Sequence, residues 1–222
     1  MALSTDGPIL RVGTTGDYPP VTFHDARTGR FSGQDIALIE AFAGDQGFCL
    51  ELVLTTWPTL MQDLTAGKFE VAIGGISDTD RREAEALVSA PIGQTGKVAL
   101  VRCGEEERYG SLEAIDTPET TVVEDRGGTN EQFALAHIEQ AVPVLVPDNR
   151  TPFAHLLAGR ADVMFTDSVE ALYRQQTTPG LCAVRPDQPY TRVDKVFLFR
   201  KDQGELRERF DRWLAAQPRA SD

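Results

Sequence analysis

The run Ala158-Gly159-Arg160-Ala161-Asp162-Val163-Met164-Phe165-Thr166-Asp167-Ser168-Val169-Glu170 reads as a turn, a short buried strand over 162–165 and a helix that begins near Ser168. Gly159 punctuates the turn, and the apolar run is short and bounded by polar residues, as a buried strand is. Open α/β sheets present chemistry at such strand-to-helix corners, at the carboxyl ends of their strands. Two acids sit at this corner, Asp167 and Glu170, and three-residue spacing at a helix start gives them roughly one face. The plain alternative is that Asp167 caps the helix and Glu170 favours its dipole. An earlier run repeats the plan: Ala66-Gly67-Lys68-Phe69-Glu70-Val71-Ala72-Ile73-Gly74-Gly75-Ile76-Ser77-Asp78-Thr79. Here the corner leads to a cation, Arg82, where the later copy carries acids. A unit used twice predicts two α/β lobes facing each other across a cleft that grips an anionic, polar small molecule.

The chain has 222 residues and is 41% hydrophobic, enough for one large or two small domains with their own cores. A net charge of −12 without a basic stripe excludes a nucleic-acid partner. An acidic protein that binds an acidic ligand must supply local cations, which singles out Arg82 and Lys97. No run reaches the roughly 20 apolar residues of a membrane span. Cys49, Cys103 and Cys182 are too few for a disulfide scaffold, and their spacing fits no zinc motif. Cys49 reads as buried in an apolar strand; a bridge between Cys103 and Cys182 is compatible with composition but not required by it. His24, His137 and His155 form no triad or metal pattern. No phosphate loop or dinucleotide fingerprint is present, so no cofactor and no metal are expected. Met1–Gly7 lacks the basic and apolar regions of a leader.

Taken in order, the pattern predicts a strand over Ile9–Thr14 and a hairpin of Val21–His24 with Arg30–Ser32. A helix over Asp35–Gly44 and a strand over Phe48–Thr55 follow. Pro58 is expected in the first turn of a helix that ends near Gly67. Val71–Ile73 reads as a strand of parallel type, Gly74–Thr79 as a loop, Asp80–Leu87 as a helix and Lys97–Val101 as a strand. The acidic run Glu105–Glu107 suggests a lobe boundary. The second lobe then alternates the strand Thr121–Glu124, a helix over Thr129–Glu139 with a Thr129/Gln132 capping box, the strand Val142–Val146 and the helix Thr151–Leu157. Leu181–Val184 and Lys195–Phe199 read as strands and Glu205–Ala216 as an amphipathic end helix. The alternation predicts α/β architecture with parallel sheets. Pro186-Asp187-Gln188-Pro189 reads as a return crossing, which gives a discontinuous first lobe, 1–101 with 188–222, and a second lobe, 102–187.

With these residues in place, the chain resembles the type II periplasmic solute-binding fold, and within it the cyclohexadienyl dehydratases (prephenate/arogenate dehydratases). The general marks are Gly13-Thr14-Thr15 with Tyr18-Pro19-Pro20, Gly33 with Asp35-Ile36, Ala66-Gly67-Lys68-Phe69-Glu70, and Ser77, Thr79 and Arg82 in Ser-x-Thr-x-x-Arg spacing. The narrower marks are Thr55-Thr56-Trp57, Arg102-Cys103-Gly104-Glu105, Gly127-Gly128-Thr129-Asn130, Pro147-Asp148-Asn149, Thr166-Asp167 with Glu170-Ala171, and Leu181-Cys182-Ala183-Val184. The likeness runs from about Ile9 to about Leu214. It implies two lobes joined by two hinge strands, with a ligand cleft between them. It also implies export to the periplasm, the leader being removed from this sequence, and a Cys103–Cys182 disulfide in that oxidising compartment.

The resemblance also implies roles. Arg82 forks onto a ligand carboxylate, helped by backbone N–H groups of Ser77–Thr79 and of Gly128-Thr129, beside Asn130. Asp167 receives an α-amino group, Trp57 and Tyr18 form aromatic walls, and Lys97 reaches a second carboxylate or the leaving hydroxyl. The plain alternatives are a surface Arg82, a solvent-facing Lys97 and a core Trp57. Glu170 is the expected general acid: loss of the ring carboxylate as CO2 and of the 4-hydroxyl as water needs a proton at that oxygen. Its carboxyl must then be kept protonated by burial or by a neighbouring anion, for which Asp167 is the candidate. One departure stands out. The dehydratases carry Asn-Pro before Gly-Gly-Thr-Asn, whereas this chain has Asp125-Arg126, an acceptor-only anion in place of a neutral donor. The expected function is a cofactor-free dehydratase making phenylpyruvate from prephenate or phenylalanine from arogenate. The alternative is a binding protein for an amino acid or small carboxylate that feeds a transporter or sensor.

Overall fold

The computed structural model describes residues 7–218; residues 1–6, on which the leader reading mainly falls, lie outside the described residues. In chain order the elements are β1 (Ile9–Thr14), β2 (Asp17–Tyr18), β3 (Thr22–Asp25), β4 (Arg30–Ser32), α1 (Gln34–Asp45), β5 (Cys49–Leu54), α2 (Leu60–Thr65) and β6 (Val71–Ser77). Then come α3 (Asp80–Glu85), β7 (Leu87–Val88), β8 (Gly93–Thr95), β9 (Lys97–Arg102), α4 (Leu112–Ile115), β10 (Thr121–Asp125), α5 (Thr129–His137) and β11 (Val142–Val146). The chain ends with α6 (Thr151–Leu157), β12 (Val163–Asp167), α7 (Ser168–Thr177), β13 (Leu181–Val184), β14 (Val193–Phe199) and α8 (Gly204–Ala215). Among the described residues no helix is long and apolar enough to cross a membrane.

The chain forms two compact units, residues 7–16, 21–93 and 194–218 in the first and residues 17–20 and 94–193 in the second. The boundaries expected at 101 and 188 therefore differ: 94–101 and 188–193 belong to the second unit. The reason is β9, which pairs on one side with β12 and on the other with β13 and so lies inside the second sheet. The acidic run after it is a surface turn of that unit rather than a boundary. The segment 17–20 also joins the second unit, which adds two crossings to the two that were expected.

The first sheet runs β5-β1-β6-β14-β7, with β1 parallel to β5 and β6, and β14 antiparallel to β6 and β7. The second runs β11-β10-β12-β9-β13, with β10 parallel to β11 and β12, and β9 antiparallel to β12 and β13. Both are mixed rather than parallel as expected. A strand covered on both faces reads as an apolar run whichever way it points, so periodicity could not report direction.

Alternation along the central strands shows that both faces of each sheet are covered. In β12, Val163 and Phe165 join one apolar cluster and Met164 the other; in β9, Ala99 and Val101 divide from Val98 and Leu100 in the same way. In the first unit Val71 and Ile73 face Phe42, Phe210 and Trp213, while Ala72 and Ile76 face Leu60, Leu64 and Phe69. Phe42 and Phe210 meet edge to face with centroids 5.2 Å apart. Polar side chains are thereby excluded from the middle of each sheet and collect at strand ends, which is where the site residues stand.

Local readings also needed correction. The strand expected at Val71–Ile73 continues to Ser77, because Gly74 and Gly75, at φ 124° and 67°, let it bend without leaving the sheet. Pro58 precedes α2 instead of opening it, and Thr59 is the residue before the first turn. The Thr129/Gln132 capping box does not form: Gly128 is the N-cap, and the Glu131 carboxylate accepts from Gly127 N at 2.7 Å. Cys103 and Cys182 are bonded, with Cα atoms 4.8 Å apart, and Cys49 is half-buried rather than buried.

The bridge closes a long loop, 79 residues apart in sequence, and loop closure of that kind typically contributes about 2–4 kcal/mol. Alkylation after denaturation without reductant should label one thiol per chain, and Cys103→Ser with Cys182→Ser should lower the unfolding free energy by about that amount. Three labelled thiols before reduction would exclude the bridge.

Candidate functional site

In the second unit, β12 delivers Asp167 and α7 begins at the next residue, so Asp167 stands at the N-cap position. Its side chain does not cap. The antiparallel register sets Asp167 directly opposite Lys97, and Lys97 Nζ donates to Asp167 Oδ1 at 2.9 Å with both side chains almost wholly buried. Tyr18 OH donates to the other oxygen, Oδ2, at 2.6 Å. Lys97 Nζ also donates to Asn130 Oδ1 at the start of α5. Lys97 is thus not solvent-facing, and both oxygens of Asp167 are engaged within the protein. Tyr18, expected as an aromatic wall, reaches the site with its hydroxyl.

Glu170 has hydrogen-bond partners of its own. It is 0% exposed. Its Oε1 accepts from Asn149 Nδ2 at 3.0 Å, its Oε2 from Thr166 Oγ1 at 2.7 Å, and Arg174 NH2 lies 3.4 Å from Oε1. Asn149 also donates to the Asp17 carbonyl at 3.2 Å, which fixes its amide. Burial pushes the Glu170 carboxyl up to about 8 against the pull of Arg174, Thr166 and Asn149. Among the neighbouring charges, the Asp125 anion adds to the rise.

Asp125 ends β10 and is 2% exposed. Burial first, and the neighbouring Asp17 second, push it up to about 7, while Lys97 and a hydrogen bond with the Asn130 side chain oppose the rise. Its Oδ1 has no hydrogen-bond partner among the described residues. The preceding Glu124 accepts from Phe165 N at 2.6 Å, and burial holds its carboxyl well above the usual carboxylate range. Gly128 and Thr129 open α5 next to Asp125: a Cβ on Gly128 would lie 3.5 Å from Asp125 Oδ2.

The first unit carries the other expected residues. Thr79 caps α3, its side chain accepting from Arg82 N. Arg82 is 8% exposed, and its NH1 donates to the Ser77 carbonyl at 2.6 Å. Lys195 Nζ donates to Ser77 Oγ at 2.8 Å, so two buried cations converge on Ser77. Asp35 Oδ2 accepts from Gly74 N at 3.1 Å and Gly75 N at 2.9 Å, which ties α1 to the bend in β6. Trp57 packs part of its surface on the Leu60, Leu64 and Phe69 cluster.

Thr166, Asn149 and Arg174 around Glu170, Asp17 and Glu124 beside Asp125, and Lys195 on Ser77 were not singled out for these contacts. Arg174 was legible from its i,i+4 spacing to Glu170. Asn149 and Lys195 join their partners across sequence gaps that no local spacing encodes.

The sequence profile of the bacterial extracellular solute-binding proteins, family 3, matches residues 10–220. A cyclohexadienyl dehydratase of Pseudomonas aeruginosa is 38% identical over 206 residues, covering 93% of this chain and 76% of its own length. The L-cystine-binding protein TcyJ of Escherichia coli is 27% identical over 198 residues, covering 89% of this chain and 73% of its own. Among solved structures, an ancestral amino acid-binding protein described as a precursor of cyclohexadienyl dehydratase superposes with a TM-score of 0.86 at 32% identity, covering 93% of this chain and 88% of its own. The holo arginine-binding protein of T. maritima gives a TM-score of 0.83 at 26% identity, covering 93% and 89%.

The raised Glu170 carboxyl has a consequence for stability. Between the ordinary value of 4.5 and about 8 the unfolded chain ionises this group while the folded chain keeps its proton. The folded state then binds more protons, so its stability falls as pH rises through that window and levels off above it. Glu170→Gln removes this contribution: its stability relative to wild type should grow with pH from 4.5 to 8 by up to about 1.4 kcal/mol per pH unit. Parallel urea-melt stabilities across that range would show that Glu170 ionises in the folded protein like an ordinary carboxyl.

Proposed function

From the premise that the chain belongs to the bacterial extracellular solute-binding proteins, family 3, we propose that it is a cofactor-free, periplasmic dehydratase acting on a cyclohexadienol carboxylate. It converts prephenate to phenylpyruvate, arogenate to phenylalanine, or both. The observation that carries this reading is Glu170: a carboxyl wholly buried and held protonated near neutral pH at a strand-to-helix corner. The dehydratase relative supports the same reading.

The ring carboxylate departs as CO2, and its C–C bonding pair moves into the ring. The ring expels the 4-hydroxyl with the C–O pair, and Glu170 gives that oxygen its proton so that water leaves. The product is aromatic, and the Glu170 carboxylate regains a proton from solvent. Thr166, which can donate or accept, and Asn149 orient the carboxyl in both states. Arg174 at 3.4 Å stabilises the anion left behind. Lys97, fixed by Asp167 and Asn130, is a stationary positive charge facing the anionic substrate. In the first unit Arg82, with Ser77 and Thr79 holding it in place, offers a guanidinium suited to a carboxylate.

A second reading is favoured by the amino-acid-binding relatives: the chain binds an amino acid and delivers it. Arg82 serves both readings. Purified protein with prephenate, followed by the absorbance of phenylpyruvate, and with arogenate, followed by release of phenylalanine, decides between them. No turnover with either prephenate or arogenate, together with tight binding of an amino acid, would leave the binding-protein reading.

Glu170→Gln should lower turnover by about 10²–10⁴ while ligand binding persists, since the amide cannot deliver a proton. Wild-type turnover should fall as pH rises through about 8, because only the protonated carboxyl donates. A base catalyst would instead lose activity as pH falls. Arg82→Ala should weaken binding of a carboxylate ligand by about 2–5 kcal/mol in titration calorimetry. A loss under about 0.4 kcal/mol, roughly twofold, would remove Arg82 from the anchor role.

A further inference from the structure

Asp167 is the residue that resemblance assigns to a ligand α-amino group, but its two oxygens already accept from Lys97 and Tyr18. A nearby buried acceptor is Asp125 Oδ1, on a carboxylate 2% exposed, with no hydrogen-bond partner among the described residues; Glu124 Oε2 and Asn149 Oδ1 share that condition, but Asp125 is the one set beside the start of α5. A buried acceptor in that condition costs free energy unless a ligand supplies the donor. We propose that Asp125 is the specificity-determining residue of this site, its Oδ1 receiving the α-ammonium of a 2-amino acid substrate in preference to the keto group of the matching 2-oxo acid. The inference deepens the dehydratase reading and rests on it for its substrates: it assigns the enzyme to the amino form, arogenate, over prephenate.

The charges around Asp125 point the same way. Buried carboxyl groups of Asp17, Glu124, Asp125, Asp167 and Glu170 crowd this end of the sheet, against the cations Lys97 and Arg174. Lys97 already donates to Asp167 and Asn130, and Arg174 faces Glu170. An ammonium adds positive charge where the site lacks it and brings three donors and no acceptor, the complement of a carboxylate. A keto oxygen brings only an acceptor, which the ionised form of Asp125 cannot pair. A ligand carboxylate at the start of α5 would meet the Asp125 anion, since Asp125 Oδ2 lies 3.5 Å from the position of a Cβ on Gly128. Sites built around a substrate N–H reject the analogue that lacks it, because their own polar group is then left unpaired.

The test measures kcat/KM of wild type and Asp125→Asn with arogenate and with prephenate, alongside thermal unfolding of both proteins. Wild type should favour the amino substrate, and Asp125→Asn, which keeps the shape but supplies a donor, should shift the amino-to-keto ratio toward the keto acid at least tenfold. A ratio unchanged within twofold while both proteins are folded overturns the proposal. If wild type turns over neither substrate, the dehydratase reading fails, and calorimetric titration with L-phenylalanine and phenylpyruvate decides on Asp125 alone. Tighter binding of L-phenylalanine that Asp125→Asn abolishes sustains the amino preference. Equal affinities, or no binding of either, overturn it. Should Asp125→Asn not fold, Asp125→Ser is measured in the same way.

Discussion

Lys97 and Asp167 face each other directly across two antiparallel strands, 2.9 Å apart and almost wholly buried. Taking two charges out of water costs several kcal/mol per ion, and attraction offsets this only when the remaining hydrogen-bond capacity is also met. Here Tyr18 completes Asp167 and Asn130 completes Lys97. Four segments, β2, β9, β12 and α5, are tied by one charge pair, and removing either member would leave the other buried and uncompensated. The pair also determines what remains at this end of the sheet, because the one lysine in the cluster is already committed.

What remains is acidic and buried. Glu170 and Asp125 both bear a cost of burial, which Lys97 offsets only in part at Asp125, and both are pushed toward neutral pH. Their surroundings separate them. Glu170 is held by Thr166, Asn149 and Arg174, an arrangement that tolerates both protonation states and suits a proton donor. Asp125 has an oxygen without a donor, an arrangement that suits recognition. Two carboxyls in distinct environments meet the physical condition under which acid–base sites divide their tasks.

The first unit carries cations at its own corner. The same helix–turn–strand–corner plan that ends in Asp167 and Glu170 ends there in Ser77, Thr79 and Arg82, with Lys195 added from β14. Both sheets are covered on both faces, so each excludes charge from its middle and leaves strand ends as the places where charge is tolerable. The duplication therefore fixes where chemistry can stand, and the residues at the two corners fix its sign.

Much of this was legible in the chain. The repeated Ala-Gly-Lys/Arg runs gave two α/β units, the apolar periodicities gave nearly every strand and helix, and the corner motifs singled out Arg82, Asp167 and Glu170. Strand direction was not legible, because a doubly covered strand is apolar whichever way it runs, and the pairing of Lys97 with Asp167 follows from direction and register alone. For the same reason the partners of Asp167, Lys97 and Tyr18, could not be read from its place at the corner. Asn149, Asp17 and Lys195 lie far in sequence from the groups they meet. The sequence by itself determined which chemical groups stand at the ends of which strands, since period and composition are local properties of the chain. Only the tertiary structure decided which charges are cancelled and which are left to act, because hydrogen-bond satisfaction and desolvation depend on neighbours that the fold, not the order of residues, brings together.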